Sequence, residues 1–350
     1  MKKSITSLFI LLFVTFFGWI FWDEYTDFHK KASTVIEQNA KIQEQIQDFS
    51  LDDIRVLDTT DFYHTPYKTL LETLVWKINS AEERVYIEVY IFTETRIREA
   101  VKKAHLRWVD VQVILEKNPY LAPRLNDKVF QELKDFGIDI VWSDVDDYAL
   151  NHTKIMIIDD TTVISTGNLS YSTFAYNKDF FIITEDSIIR DNLLYLFEND
   201  FQWDKVSPYE HNLVLSPMYA RSKFTELFSS AEKSIYMYFQ YFQDDNLESL
   251  LTDMSKSWVD VKAIVASNYW ESGVGEIQRM ESEGIEVAIM KTPKMHAKAI
   301  LIDEKYLFIG SINFSNYSLD ANREVGILIS NPDIISKFID LFQDDFQTFY

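Results

Sequence analysis

Two short stretches of this 350-residue chain carry the same polar residues at nearly the same spacing. The first reads His152-Thr153-Lys154, four apolar residues, Asp159, and then Ser165-Thr166-Gly167-Asn168. The second reads His296-Ala297-Lys298, four apolar residues, Asp303, and then Gly310-Ser311-Ile312-Asn313. An acid follows in each, Asp179 in Asn177-Lys178-Asp179 and Glu324 in Asn322-Arg323-Glu324. Histidine serves as nucleophile or proton carrier near neutral pH, while lysine and asparagine offer positive charge and hydrogen-bond donors. A phosphodiester needs all of these: its negative charge repels nucleophiles, its leaving oxygen must be protonated, and its non-bridging oxygens must be held. A lone histidine is more often packed or solvated than catalytic, but two copies in register point to one shared site. His29, His64, His105 and His211 lack such company and are expected at the surface.

The elements that must position these residues repeat as well. Ser80-Ala81-Glu82 and Val85–Phe92 line up with Ser230-Ala231-Glu232 and Ile235–Phe242 at an offset of 150. Trp108-Val109-Asp110-Val111 matches Trp258-Val259-Asp260-Val261, and each precedes an apolar run that reads as a buried strand. Gly137 and Gly284 each end a helix-like stretch before another short strand, Ile138–Trp142 and Ile285–Met290. Leu196–Gln202 resembles Leu341–Gln347 in a closing helix. Both halves thus read strand, helix, strand, helix, strand, which predicts two α/β lobes, each a mixed β-sheet flanked by helices. The link falls near Asp204–Ser216, where Pro208 and Pro217 break any helix. Alternation within a strand would put each histidine and its lysine, two apart, on one face. Tyr86, Tyr90, Tyr236, Tyr238 and Tyr241 fall at strand positions and are expected mostly in the core, with a few rings lining the cleft.

At these residues the sequence resembles the phospholipase D superfamily, whose signature, HxKxxxxD followed by GSxN, is present twice; the resemblance covers about residues 60–350. The second copy matches every motif position, whereas the first has Ser165 at the glycine and a turn one residue shorter. His152 to Asp179 spans 27 residues and His296 to Glu324 spans 28, so a shortened hairpin is expected and the acids stay aligned. An Arg-Gly-Val that often precedes the second strand in this superfamily reads Arg107-Trp108-Val109 and Ser257-Trp258-Val259 here. The resemblance implies two pseudo-symmetric lobes with the active site at their interface. It implies that His152 attacks phosphorus to form a phosphohistidine, and that His296 protonates the leaving alcohol and then activates water or an acceptor alcohol. Lys154, Lys298, Asn168 and Asn313 would hold the phosphoryl oxygens, with Thr166 and Ser311 beside them at the substrate. Asp179 and Glu324 would each bond the far ring nitrogen of a histidine and fix its tautomer. One imidazole would be neutral and its twin protonated. Asp159 and Asp303, just before turns, are expected to be structural, bonding turn or cross-lobe backbone. No metal or other cofactor is required.

Composition narrows the substrate. The chain has no cysteine, which excludes disulfides, thiolate nucleophiles and cysteine-ligated metals. Lys2 and Lys3 precede nineteen uncharged, mostly apolar residues, Ser4–Trp22, close to the length that crosses a bilayer. A cleaved signal peptide is the rival, but bulky Trp19–Trp22 stands where small residues would precede a cut. An uncleaved anchor over 1–22 is therefore expected, with a cytoplasmic N-terminus and the rest extracytoplasmic, because lysines precede it and Asp23, Glu24 and Asp27 follow. Residues 23–53 read as a juxtamembrane helical stalk, 54–204 as the first lobe and 205–350 as the second. Removing Lys2 and Lys3 from the formal charge of −21 leaves −23, which repels polyanions. A phospholipid substrate and a membrane partner are expected, with hydrolysis or cardiolipin synthase-like transfer as the reaction. The alternative is a membrane-anchored nuclease of the same superfamily, for which local charge at Lys154, Lys298 and Arg323 would have to outweigh the acidic surface. A non-catalytic scaffold fits poorly with a complete motif set. With both motifs on one chain, a monomer suffices.

Overall fold

The computed structural model describes residues 26, 28–36, 49–57, 59–120, 122–143, 147–267 and 274–350. The apolar run over 4–22, expected as a membrane helix, lies outside them. Among the described residues no helix is long and apolar enough to cross a membrane.

The first half contains strands β1 (Thr60–His64), β2 (Arg84–Val89), β3 (Asp110–Leu115), β4 (Asp139–Trp142), β5 (Lys154–Ile158), β6 (Thr161–Ser165), β7 (Asn177–Lys178) and β8 (Phe180–Thr184). Its helices are α1 (Lys68–Ser80), α2 (Thr95–Leu106), α3 (Asp127–Asp135), α4 (Tyr171–Ala175) and α5 (Ser187–Phe201). The second half contains β9 (Leu213–Ser216), β10 (Ser234–Phe239), β11 (Phe242–Gln243), β12 (Asp260–Ala266), β13 (Glu286–Met290), β14 (Lys294–Met295), β15 (Ala299–Ile302), β16 (Tyr306–Gly310), β17 (Phe314–Ser315) and β18 (Glu324–Ile329). Helices α6 (Ala220–Ser229), α7 (Asp245–Lys256), α8 (Val274–Ser282), α9 (Asn316–Asp320) and α10 (Pro332–Phe349) complete it. The two seven-stranded sheets run β1-β8-β6-β5-β2-β3-β4 and β9-β18-β16-β15-β10-β12-β13, the same order element for element. In each, a parallel three-strand unit joined by helices abuts an antiparallel hairpin, so both sheets are mixed.

Strands β5 and β15 are buried along their whole length, which is why their sequences, Lys-Ile-Met-Ile-Ile and Ala-Ile-Leu-Ile, do not alternate. One face of the first sheet packs against α1 to α3, where Ile97, Ala100, Val101 and Ala104 form the apolar stripe of α2. The other face meets the second lobe. There β6 and β8 pack across β16 and β18, and the Phe180 ring stands edge-on to Tyr238 at 5.0 Å. The closing helices dock alike: Phe197 of α5 stacks on Tyr86 at 4.9 Å, and Phe342 of α10 on Tyr236 at 5.0 Å.

The shortened hairpin is present: residues 159–160 join β5 to β6, whereas 303–305 join β15 to β16. The serine that replaces the motif glycine also has a physical account. Gly310 pairs with Gly326, and a Cβ on Gly310 would lie 2.4 Å from the Gly326 Cα; the Phe308 ring fills the space the two glycines leave. In the first lobe Ser165 faces Phe181, so the ring comes from the opposite strand and the glycine is not needed. Trp108 and Trp258 stand in left-handed backbone, φ 67° and 70°, which is the reason glycine suits that place. Their rings are 95% and 94% exposed, and nothing in the structure explains the choice of tryptophan.

Two expectations change. The last four residues of the supposed link, Leu213–Ser216, form edge strand β9, because their short apolar run supplies the counterpart of β1. Residues 28–36 are helical, yet they pack on both lobes through Ala32 and Val35 against Ala149 and Ala321.

Candidate active site

Each histidine precedes its strand instead of lying in it, because the backbone there changes partners. Asn151 pairs with Arg323 of the other lobe, and the His152 N–H donates to the Arg323 carbonyl at 2.8 Å. On the twin seam β14 pairs in parallel with β7, and the His296 N–H donates to the Lys178 carbonyl at 3.2 Å. Each lobe therefore lays its histidine beside the residue that precedes the other lobe's acid. The result is a crossed pairing. His152 Nδ1 lies 2.8 Å from Glu324 Oε2, and His296 Nδ1 lies 2.7 Å from Asp179 Oδ1. With both carboxylates fully buried, each neutral imidazole donates through Nδ1 and keeps Nε2 as its basic, nucleophilic nitrogen.

The acids are themselves held. Asp179 Oδ1 accepts from Thr166 Oγ1 at 2.7 Å, and the Asp179 N–H donates to Thr65 Oγ1 at 3.0 Å. Gly167 lets this carboxylate approach, since a Cβ there would lie 2.9 Å from Asp179 Cγ. Glu324 Oε1 accepts from Asn322 Nδ2 at 3.1 Å. Lys154 Nζ donates to the His152 carbonyl at 2.7 Å and sits 5.2 Å from the Tyr90 ring centre; that ring also meets His152 edge-on at 4.7 Å. Lys298 Nζ mirrors it on the His296 carbonyl and reaches Gln240 Oε1 at 3.3 Å. Asn168 and Asn313 both keep a buried side-chain oxygen without a partner among the described residues. An unmet acceptor at the same point of both motifs suits a ligand hydroxyl, and leaves each amide N–H₂ as the group that could donate to a phosphoryl oxygen.

Electrostatics follow from burial and crowding. His152 is lowered to about 4, by burial first and then by the Lys154 charge, against the pull of Glu324. His296 is lowered as well, again by burial first, with Asp179 opposing and Lys298 and Lys154 adding to the fall. Lys154 falls well below its ordinary value through burial and the neighbouring Lys298, and burial brings Lys298 to about 8. Burial alone would raise Asp179, but His296, Lys298 and Thr166 outweigh it and hold the carboxyl low. Burial and the two lysines thus depress both imidazoles, where one neutral and one protonated ring are expected. A bound phosphate anion supplies the missing counter-charge and favours a proton on one of them.

Other expected residues sit around this centre. Thr166 and Ser311, expected at substrate, are fully buried with their hydroxyls on β8 and β18: the Phe180 N–H donates to Thr166, and the Val325 N–H to Ser311. Asp159 accepts from the backbone N–H groups of Glu82, Glu83 and Arg84, and Asp303 from those of Glu232, Lys233 and Ser234, each within its own lobe. Arg323 is no cleft cation. It is fully buried, with two 2.7 Å bonds to Asp200. Lys178 makes the twin cross-lobe pair with Asp345. The match of Asp200 with Asp345 in the repeated closing helix was the available signal for these pairs. Of the four other histidines, His64 is half-buried and lowered to about 4, by burial first and then by Lys178, and the His29 ring bonds the Tyr317 hydroxyl.

The family model for the phospholipase D-like domain of cardiolipin synthase matches residues 74–205 and 224–346, one segment in each lobe. The chain belongs to this phospholipase D-like family. Among curated relatives of these phospholipase D-like proteins, a cardiolipin synthase of Clostridium perfringens is 22% identical over 79% of this chain and 68% of its own length. The major cardiolipin synthase of Bacillus subtilis is 22% identical over 78% of this chain and 66% of its own. The chain thus spans about two thirds of those relatives. A solved phosphatidylserine synthase of Haemophilus influenzae has the same phospholipase D-like fold, with a TM-score of 0.65, 12% identity, and coverage of 89% of this chain and 90% of that one.

Proposed function

We propose that this phospholipase D-like enzyme transfers a phosphatidyl group between alcohols at a membrane, or to water, through a phosphohistidine on His152. The crossed pairing of His152 with Glu324 and of His296 with Asp179 carries the reading, because it gives two part-buried imidazoles of one tautomer, each backed by a buried carboxylate of the other lobe. His152 Nε2 attacks phosphorus and forms the P–N bond as the P–O bond to the leaving alcohol breaks. That alcohol takes the proton of His296. In the second half the incoming alcohol gives its proton to His296 Nε2 and displaces His152 from phosphorus. Glu324 and Asp179 hold the Nδ1 protons throughout, while the two lysines and two asparagines bear the negative charge of the non-bridging oxygens. The activities for which the relatives are named, cardiolipin and phosphatidylserine synthesis, support a phospholipid substrate. We read the run over 4–22 as the membrane anchor that brings the site to it.

The test incubates the full chain in mixed phospholipid vesicles with single-stranded DNA present, in excess chelator, with the His152→Ala protein as blank. A new phosphatidyl product or head-group release that the blank lacks supports the proposal and identifies the acceptor. DNA cleavage without lipid turnover overturns it.

A further inference from the structure

The pseudo-two-fold symmetry of the cleft is broken on its rim. Helix 28–36 packs through Ala32 and Val35 on Ala149 and Ala321, and Phe28 lies 5.1 Å from Tyr120 and 5.4 Å from Tyr317, ring centre to ring centre. Ala149 and Ala321 stand just ahead of His152 and Glu324, so this helix covers the seam that carries that pair. At the offset of 145 the counterparts of Ala321 and Asn316 are Tyr176 and Tyr171. There the twin seam, beside His296, has no described helix over it. Instead Tyr171 and Tyr176 meet edge-on at 5.6 Å and are 61% and 59% exposed, and Tyr67, 58% exposed, follows Pro66, which lines one surface pocket with Tyr171. A tyrosine with an apolar ring and a polar tip, exposed to this degree, suits the boundary between water and lipid.

Chain length bounds how far this rim can stand from the proposed anchor. Phe28 follows Trp22, the last residue of the apolar run, by six residues, a reach of at most about 20 Å. We infer that the rim bearing Tyr67, Tyr171 and Tyr176 is a bilayer-contact surface, held against the lipid by helix 28–36, so that phospholipid enters from the His296 side. The occupant is a phospholipid bilayer. The inference rests on the proposed anchor over 4–22 and adds the orientation. The same geometry puts Trp108 and Trp258 at the far end: Lys154 pairs with Val89 at the C-terminal end of β2, whereas the tryptophans precede the N-terminal ends of the parallel strands β3 and β12.

Because the chain has no cysteine, single cysteines can be labelled one at a time. Full-length Tyr67→Cys, Tyr171→Cys, Tyr176→Cys, Trp108→Cys and Trp258→Cys proteins, each carrying a polarity-sensitive fluorophore, are floated with phosphatidylglycerol–phosphatidylcholine vesicles. The expected result is co-flotation, with blue-shifted emission and quenching by brominated lipid at the three tyrosine positions and aqueous emission at the two tryptophan positions. Co-flotation with all five labels in water overturns the inference and leaves the anchor standing; failure to float overturns both. A Tyr171→Ser/Tyr176→Ser protein provides a second arm. Its turnover should fall at least several-fold on vesicles yet stay unchanged on a water-soluble short-chain phospholipid, and equal turnover on both overturns the inference.

Discussion

His152 Nδ1 lies 2.8 Å from Glu324 Oε2, a carboxylate that belongs to the other lobe and is 172 residues away along the chain. The bond sets the tautomer of the proposed nucleophile from outside its own motif. Glu324→Gln should therefore keep the fold and lower kcat by about 10²- to 10⁴-fold, as expected when an imidazole loses the anion that orients it. Steady-state assays on vesicles, with circular dichroism as the folding control, test this. A loss of less than threefold would show that the pair is dispensable.

The two histidines differ in proposed role despite their matched surroundings. His152→Ala and His296→Ala should each abolish turnover, but only the second should leave an adduct. Intact-mass measurement after brief exposure to substrate should show a phosphatidyl group on His152 in the His296→Ala protein. The same adduct mapped to His296 in a His152→Ala protein would reverse the assignment.

The pH profile follows from three shifted groups. His152, lowered to about 4, is neutral and nucleophilic above that value and loses this as pH falls through it. Lys298, lowered to about 8, is charged below that value and loses its charge as pH rises through it. A plot of kcat/KM should rise through about pH 4, fall as His296, itself lowered, loses the proton it must donate, and fall again on an alkaline limb through about pH 8. Lys298→Arg should carry the alkaline limb upward and leave the acid limb in place, because a guanidinium stays charged. An unmoved alkaline limb would assign it to another group.

Arg323, fully buried, and Asp200 form a buried cross-lobe ion pair. Asp200→Ala strands the guanidinium and should cost about 3–5 kcal/mol in denaturant titration. Because Arg323 also anchors the His152 seam through its backbone, activity should fall with stability. A loss under 1 kcal/mol would mean that the lobes hold together without this pair.

The glycine pair of the second lobe makes a further prediction. A Cβ on Gly326 would lie 2.2 Å from the Phe308 ring, so Gly326→Ala should destabilise by about 1–3 kcal/mol. Adding Phe308→Val, which matches Val163 of the first lobe, should recover part of the loss. Strictly additive effects would show that the ring and the glycine do not compete.

The sequence by itself determined the family, the two lobes and the histidines, lysines, asparagines and acids of the candidate site. It could do so because repetition is written residue by residue: an apolar run buried on both faces, a left-handed turn or a motif triplet is local, and the chain carries each twice. The shortened hairpin was legible for the same reason. Only the tertiary structure decided which acid serves which histidine, since the crossing of Asn151 onto Arg323 and of β14 onto β7 joins segments more than a hundred residues apart. Arg323 read as a cleft cation and Thr166 and Ser311 as substrate contacts because residue type reports hydrogen-bonding capacity and not the partner that meets it. Helix 28–36 likewise read as a stalk. Its few apolar residues are too sparse for a core helix, and only the seam formed by Ala149 and Ala321 gives them a surface to cover.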